Sequence, residues 1–370
     1  MIIGVPKEIK NNEFRVSLTP EGVKELVKDG NRVLVQNNAG KESGYDNEGY
    51  KSAGAIILDK IEEIYNSSEL IVKVKEPIEL EYKLIKKNQI IFTYLHLSSN
   101  KKLTEALLNS GSICIAYETI ESQKGYFPLL APMSEVAGRF SAIMGAYCLG
   151  ITFGGEGILI GGVSGVLPGK VLILGAGIVG KSAAKMALGL GADVTIMSPF
   201  IEELRDIELK NYFNSNVSTL MLSDYNIAKE IQETDILISA IYVHGSRTPI
   251  LVTKEMVKKM KKGSVIVAVD IDQGSSIETA KPTTHKNPTY LVDGVVHYCV
   301  ANMPGVFPKT STLALTNLTF PYVKKLAKYG ESSLRSDLEL LSGLNIYKGK
   351  ITYKNVAEDL NLKSFYYEFK

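Results

Sequence analysis

Cysteine, histidine and net charge are all scarce in this chain, and each scarcity excludes a class of function. Of the 370 residues only three are cysteines, Cys114, Cys148 and Cys299, far apart and each in an apolar stretch. No Cys-x-x-Cys pair exists, so zinc and dithiol redox chemistry have no support, and buried thiols in a reducing compartment are expected. Histidine occurs four times, and His244, His285 and His297 sit in a loop or near turns and strand ends, so no metal is expected. Basic side chains number 42 against 40 acidic, a formal charge of +2, which rules out a strongly basic nucleic-acid binder. An apolar content of 45% likewise disfavours an acidic disordered scaffold. Long apolar runs are missing too. The longest uncharged stretch, residues 140–155, is too short and too rich in glycine for a membrane span. Residues 1–8 lack a basic region followed by an apolar core, so they do not read as a signal peptide. The expectation is a cytoplasmic protein with no membrane and no nucleic-acid partner.

What is present is a regular alternation. The length favours two domains at roughly 100–200 residues each. β-Branched runs at 2–5, 32–36, 70–75, 89–96 and 112–118 form a first series of strands, and 170–174, 193–197, 235–241, 264–271 and 289–292 a second. Helical patterns lie between them, such as 19–29, where Thr19 can cap and Pro20 occupies the first turn. Such alternation implies parallel sheets with helices on both faces. Two longer helices are expected, one from Ser134 as N-cap to about 149 and one from near Ser311 to about 328. The fold class is therefore α/β, with two doubly wound domains joined by long hinge helices. The first domain comprises residues 1–133 and 306–370, and the second is the insert 134–305.

The second domain carries the clearest motif. Residues 170–174 form a strand, Gly175-Ala176-Gly177-Ile178-Val179-Gly180 follows directly, 182–190 reads as a helix, and 193–197 as the next strand. Gly175 permits the tight turn, Gly177 lets backbone approach a pyrophosphate, and Gly180 lets helix and strand pack closely. Phosphate would lie on the positive end of the helix dipole. This is a Rossmann-like dinucleotide unit, and Gly175, Gly177, Ile178, Val179, Gly180 and, on a neighbouring strand, Ile241 are its expected cofactor contacts. One part differs. The second strand of such units ends in an acidic residue that holds the ribose hydroxyls, and here that place is Ser198. Serine can bond a ribose hydroxyl but does not repel a 2′-phosphate, and Arg205 is near in sequence. NAD is the expected cofactor.

Polar groups also stand where strands of the first domain end, and ligands of open α/β sheets bind beyond those ends. Lys73 and Lys75 alternate with Val72 and Val74, which places both on one side, with Lys75 at the strand's end beside Glu76-Pro77. Tyr94 and His96 share a face at the next strand end, and Arg15 follows the first strand. A lone lysine is usually solvated and a lone histidine structural. Together the three ends form a candidate substrate site.

Gly4-Val5-Pro6-Lys7-Glu8 with Asn12-Glu13-Phe14-Arg15-Val16 resembles the opening of the alanine dehydrogenase family. So do Lys73-Val74-Lys75-Glu76-Pro77, Tyr94-Leu95-His96-Leu97 and Leu130-Ala131-Pro132-Met133-Ser134-Glu135-Val136-Ala137-Gly138-Arg139. The likeness continues through Asp272-Gln273-Gly274, Pro282-Thr283-Thr284-His285, Val300-Ala301-Asn302-Met303-Pro304-Gly305 and Tyr347-Lys348-Gly349-Lys350, nearly the whole chain in order. The resemblance implies that Arg15 binds the substrate carboxylate and that Lys75 holds the carboxylate or the carbonyl oxygen. It makes His96 the acid–base group and Asp272 the second polar catalytic group, orienting or deprotonating water during attack on an imine. Tyr94, Met133 and Asn302 would contact the substrate, while Ser134, Asn302, Ser198, Asp272 and the glycine turn would contact the cofactor.

The implied reaction is reversible NAD-dependent oxidative deamination of L-alanine to pyruvate and ammonium, by a homo-oligomer that the family suggests is a hexamer. Domain closure about glycine-rich hinges near 150–157 would exclude non-reacting water. Two departures from the family stand out. Members carry Asp-Val-Ala-Ile-Asp-Gln-Gly where this chain has Ala268-Val269-Asp270-Ile271-Asp272-Gln273-Gly274, which puts Asp270 and Asp272 on one strand face, and Ser198 stands where NAD-binding members have Asp. The rival readings are a saccharopine-type amino-acid dehydrogenase, a transhydrogenase-like NAD-binding subunit and a non-catalytic nucleotide sensor. Arg15, Lys75 and His96 together argue against the last two, which need no carboxylate clamp.

Overall fold

The computed structural model describes residues 1–209, 217–241 and 248–369; His244 and Gly245 lie outside them. Its strands are β1 (Ile2–Val5), β2 (Arg32–Gln36), β3 (Ile56–Leu58), β4 (Leu70–Val72), β5 (Ile90–Thr93), β6 (Ile113–Ala116), β7 (Lys170–Leu174), β8 (Asp193–Ser198), β9 (Ser218–Met221), β10 (Ile236–Ser239), β11 (Val265–Ala268), β12 (Thr289–Val292), β13 (Val295–Tyr298), β14 (Leu344–Tyr347) and β15 (Lys350–Ile351). The chain divides into two compact units, Met1–Met133 with Pro304–Lys370, and Ser134–Met303.

The first unit is built on a sheet of order β15-β14-β6-β5-β4-β1-β2-β3. Its strands read as unbroken apolar runs because both faces are covered. Ile3, Val5, Val33, Val35, Leu70, Val72, Ile90, Phe92, Ile113 and Ile115 enter one buried cluster. Their neighbours Leu34, Ile71, Ile91, Cys114 and Ala116 enter the other, following the two-residue period of a strand. From β1 the chain winds through β2 and β3 to one side and through β4, β5 and β6 to the other, so the topological switch lies between β1 and β4. The second unit has the order β12-β13-β11-β10-β7-β8-β9, with its switch between β7 and β10. The expected α/β class holds, with mostly parallel sheets. The exceptions lie at or next to the sheet edges: β14 runs antiparallel to β6 and β15, and β12 antiparallel to β13.

Four local expectations are corrected. The strands expected at 70–75 and 89–96 stop at Val72 and Thr93; the Lys73 and Tyr94 N–H groups still bond the carbonyls of Phe92 and Val74, and from the next residue on side-chain carboxylates take the backbone donors. Glu8 Oε1 accepts the Val74 N–H at 2.7 Å, and Glu118 accepts those of Leu95 and His96 at 3.1 and 2.6 Å. The helix expected to start at Ser134 spans Ala131–Cys148, so Ser134 lies inside it and is not its N-cap. Pro132 falls in the first turn, where a missing N–H costs no helical bond. In the same way the helix expected from Ser311 spans Pro308–Tyr329 with its proline in the first turn. Finally, Asp270 and Asp272 do not share a strand face. β11 ends at Ala268 and Val269–Gln273 coils into a 3-10 helix, where residues two apart point in different directions.

Candidate active site

The first switch point collects the charged residues singled out in the sequence. Arg15 lies in the loop after β1 with only 2% of its side chain exposed. Burial opposes its charge, but Glu13 more than offsets this and holds the guanidinium above its ordinary value. Glu13 Oε1 takes Nε at 2.6 Å and Oε2 takes Nη2, a forked pairing that also fixes the plane of the group. Nη1 points at Met133 Sδ, 2.7 Å away, so these two residues from distant parts of the chain are adjacent.

Lys73 and Lys75 follow β4 but part company, against the expectation that both face one way. Lys73 is fully buried between Glu8 Oε2 at 3.2 Å and Glu81 Oε1 at 2.9 Å, a closed ion cluster that Tyr65 joins through Glu81. Burial opposes the Lys73 charge and the two carboxylates override it, raising its pKa. Lys75 has no ion-pair partner among the described residues. Its Nζ lies 6.0 Å from the centroid of the Tyr94 ring. Burial, then the charges of Arg15 and Lys10, push this ammonium below the ordinary lysine value.

Tyr94 is buried, donates from its hydroxyl to the Leu129 carbonyl at 2.5 Å, and stacks on His96 with ring centroids 5.9 Å apart and planes 7° from parallel. His96 is exposed and has a left-handed backbone at φ 50°, which costs a non-glycine residue about 1 kcal/mol. Glu118, in the 3-10 turn just after the adjacent strand β6, stabilises that turn by accepting two successive N–H groups. Glu8, Glu13 and Glu118 are the residues that sequence patterning did not single out. Glu8 and Glu13 lay within the family-like opening motif, whereas the only signal for Glu118 was its place near a strand end.

The second unit places its glycine turn at its own switch point. Gly175 has φ +105°, and a Cβ there would lie 2.6 Å from the Ala240 carbonyl and 3.3 Å from Ile241 Cδ1. A Cβ on Gly180 would meet the Gly175 carbonyl oxygen at 1.8 Å, so helix and turn touch only because the residue is glycine. Nothing lies within 4 Å of a Cβ on Gly177, and this residue and Ile178 are exposed. The helix Ile178–Gly189 starts there with no side-chain cap, four residues earlier than expected, so its first N–H groups face outward from the turn. Open backbone, outward donors and a helix dipole are what a pyrophosphate requires. The residues present fit a dinucleotide.

Around this turn the remaining candidates are separate in character. Ser198 ends β8 and is fully buried. Asp270 is buried, accepting from Ser239 Oγ at 2.6 Å, Ser275 Oγ at 3.0 Å and the Ser276 N–H at 2.9 Å. Asp272 is exposed, and the Asn302 N–H points at its Oδ2 from 3.5 Å. Among the described residues no cluster of histidine, cysteine or carboxylate is set to hold a metal ion. His297 is a buried structural residue bonded to Thr279 and the Val295 carbonyl. All three cysteines are buried and free, and burial pushes Cys114 up to about 12. No helix among the described residues is long and apolar enough to cross a membrane.

Comparison with known proteins decides the family. The family description "Alanine dehydrogenase/PNT, N-terminal domain" matches residues 4–137, and "Alanine dehydrogenase/PNT, C-terminal domain" matches 141–354. The chain belongs to the alanine dehydrogenase family. The alanine dehydrogenase of Bacillus subtilis (strain 168) is 52% identical over 97% of this chain and 95% of that one. That of Mycolicibacterium smegmatis is 47% identical over 98% of this chain and 97% of that one. A solved L-alanine dehydrogenase superposes with a TM-score of 0.94 at 48% identity, covering 98% of this chain and 99% of the other. A transhydrogenase from Sinorhizobium meliloti, at 22% identity and a TM-score of 0.81 over 95% of this chain and all of the other, shares the fold. Like other alanine dehydrogenase family members, the chain is a dehydrogenase of Rossmann-like architecture that uses a nucleotide cofactor.

Proposed function

We propose that this chain catalyses the reversible conversion of L-alanine, NAD and water to pyruvate, ammonium, NADH and a proton. The observation that carries the reading is Lys75, a partly buried ammonium without an ion-pair partner among the described residues, next to Arg15 at the switch point of the first sheet. A partly desolvated cation of this kind favours an anion, and a small carboxylate suits it. Arg15, held in plane by Glu13, meets the α-carboxylate, and Lys75 binds the carboxylate or stabilises charge on the carbonyl oxygen of pyruvate. His96, exposed and stacked on Tyr94, exchanges protons with the reacting group. Asp272 orients water for attack on the imine carbon. When bound, the nicotinamide takes the hydride from the α-carbon. Ser134, Asn302 and the Gly175–Gly180 turn with Ile178, Val179 and Ile241 contact the cofactor in this reading. The same reading makes the protein a cytoplasmic homo-oligomer, a hexamer by family resemblance.

The test is NADH formation, followed by absorbance, on adding L-alanine to the purified protein at alkaline pH, with lysine-derived substrates and no amino acid as comparisons. A rise with L-alanine alone is expected. Activity only with the larger substrates, or none at all, would contradict the assignment.

A further inference from the structure

The missing acid at the end of β8 has a replacement. Ser198 is 0% exposed, its hydroxyl donates to Glu203 Oε2 at 2.5 Å, and its oxygen accepts the Phe200 N–H at 3.1 Å. A serine hydroxyl has one proton to give, and here it goes to a carboxylate. Glu203 lies in the first turn of the helix Ile201–Leu209 and is partly exposed. The tether brings its carboxylate back to the strand end. β8 pairs with β7 so that Met197 stands opposite Leu174, and the Gly175 N–H donates to the Met197 carbonyl at 2.8 Å. Glu203 is thus anchored one residue along from the glycine turn, at the end of the strand where dinucleotide units hold the adenosine ribose.

We infer that Glu203, positioned by Ser198, binds the ribose hydroxyls and sets the preference of this chain for NAD over NADP; the inference rests on the NAD reading above. Oε2 takes the serine proton and Oε1 accepts from a ribose hydroxyl. A 2′-phosphate, bearing about −1.5 to −2 charges, would be forced against this carboxylate. Arg205, the cation near in sequence, does not relieve the clash. Residues two apart on a helix are about 200° apart around its axis, and Arg205 pairs on the surface with Glu202 at 3.3 Å. Ser198 therefore acts through Glu203, as a positioning residue.

The test measures binding of NADH and NADPH to the purified full-length protein by the fluorescence of the reduced nicotinamide, without turnover. Wild type should bind NADH at least ~100-fold more tightly than NADPH. Glu203→Gln should weaken NADH by roughly 10- to 100-fold and bring the two cofactors within about tenfold of each other. Glu203→Asp, which keeps the charge, should retain the preference for NADH. Ser198→Ala keeps the carboxylate but loses its tether, so NADH should weaken by less than about tenfold with the preference preserved. Equal thermal midpoints of the variants and wild type establish that they are folded. Glu203→Gln with wild-type affinities for both cofactors would overturn the assignment of Glu203 alone, as would loss of the preference in Ser198→Ala but not in Glu203→Gln. A wild-type protein that binds neither cofactor would overturn the NAD reading and this inference with it.

Discussion

The two switch points of this molecule share a topology and differ in almost everything chemical. Both lie where a parallel sheet reverses its winding, between β1 and β4 in one unit and between β7 and β10 in the other. The first is crowded with charge: Arg15 locked to Glu13, Lys73 between two carboxylates, and Lys75 beside them without an ion pair among the described residues. The second is nearly bare backbone, with three glycines in six residues and an uncapped helix. A small carboxylate needs side-chain charge at fixed positions, whereas a pyrophosphate is bound by backbone donors and a dipole. On the proposed reading, the same fold provides two kinds of anion site, one made by side chains and one by their absence.

That contrast can be broken by mutation, most severely at the charged site. His96→Ala should lower kcat by about 10²- to 10⁴-fold while leaving NADH affinity intact, measured by turnover and fluorescence titration side by side. Loss of NADH binding in this variant would join the two sites that the comparison separates. Glu13→Gln should cost about 3–5 kcal/mol of stability in urea unfolding, because it leaves the Arg15 charge buried with its carboxylate gone. At the glycine turn the effects should be smaller and separable. Gly180→Ala forces its new methyl against the Gly175 carbonyl and should cost about 1–3 kcal/mol. Gly177→Ala meets open space, so its stability should change by less than ~0.5 kcal/mol while NADH affinity falls about tenfold.

The smallest effect concerns pH. Lys75 is held below the ordinary lysine value by burial, then by Arg15 and Lys10. Its charge is therefore lost, as pH rises, earlier than that of an ordinary lysine. Removing the Lys10 charge in Lys10→Met should raise the Lys75 pKa. The alkaline fall in 1/KM for pyruvate should then move to higher pH, by less than about one unit. A shift to lower pH would show that another group titrates there.

The glycine site was legible in the sequence because it is local. Strand, turn and helix are contiguous, and β7 spans the expected 170–174 residue for residue. The charged site was legible only in part. Arg15, Lys75, Tyr94, His96 and Met133 could be picked out, but what holds them comes from tertiary partners that no periodicity marks. Alternation also failed where a polar residue competed with the ladder. Val269 and Ile271 continue the strand pattern, yet Asp270 gathers Ser239, Ser275 and Ser276 and the backbone coils. The strands left unread, β3, β9, β13, β14 and β15, are short, and most lie at or near sheet edges, where pairing owes more to neighbours than to propensity.

The central claim is that the charge of the first unit recognises the carboxylate while the backbone of the second binds the nucleotide. Lys75→Ala tests it most directly, with L-alanine turnover and NADH affinity measured on the same preparation. The account predicts at least a ~100-fold loss of turnover with NADH affinity unchanged. Turnover at the wild-type rate, or NADH affinity falling in step with turnover, would contradict it.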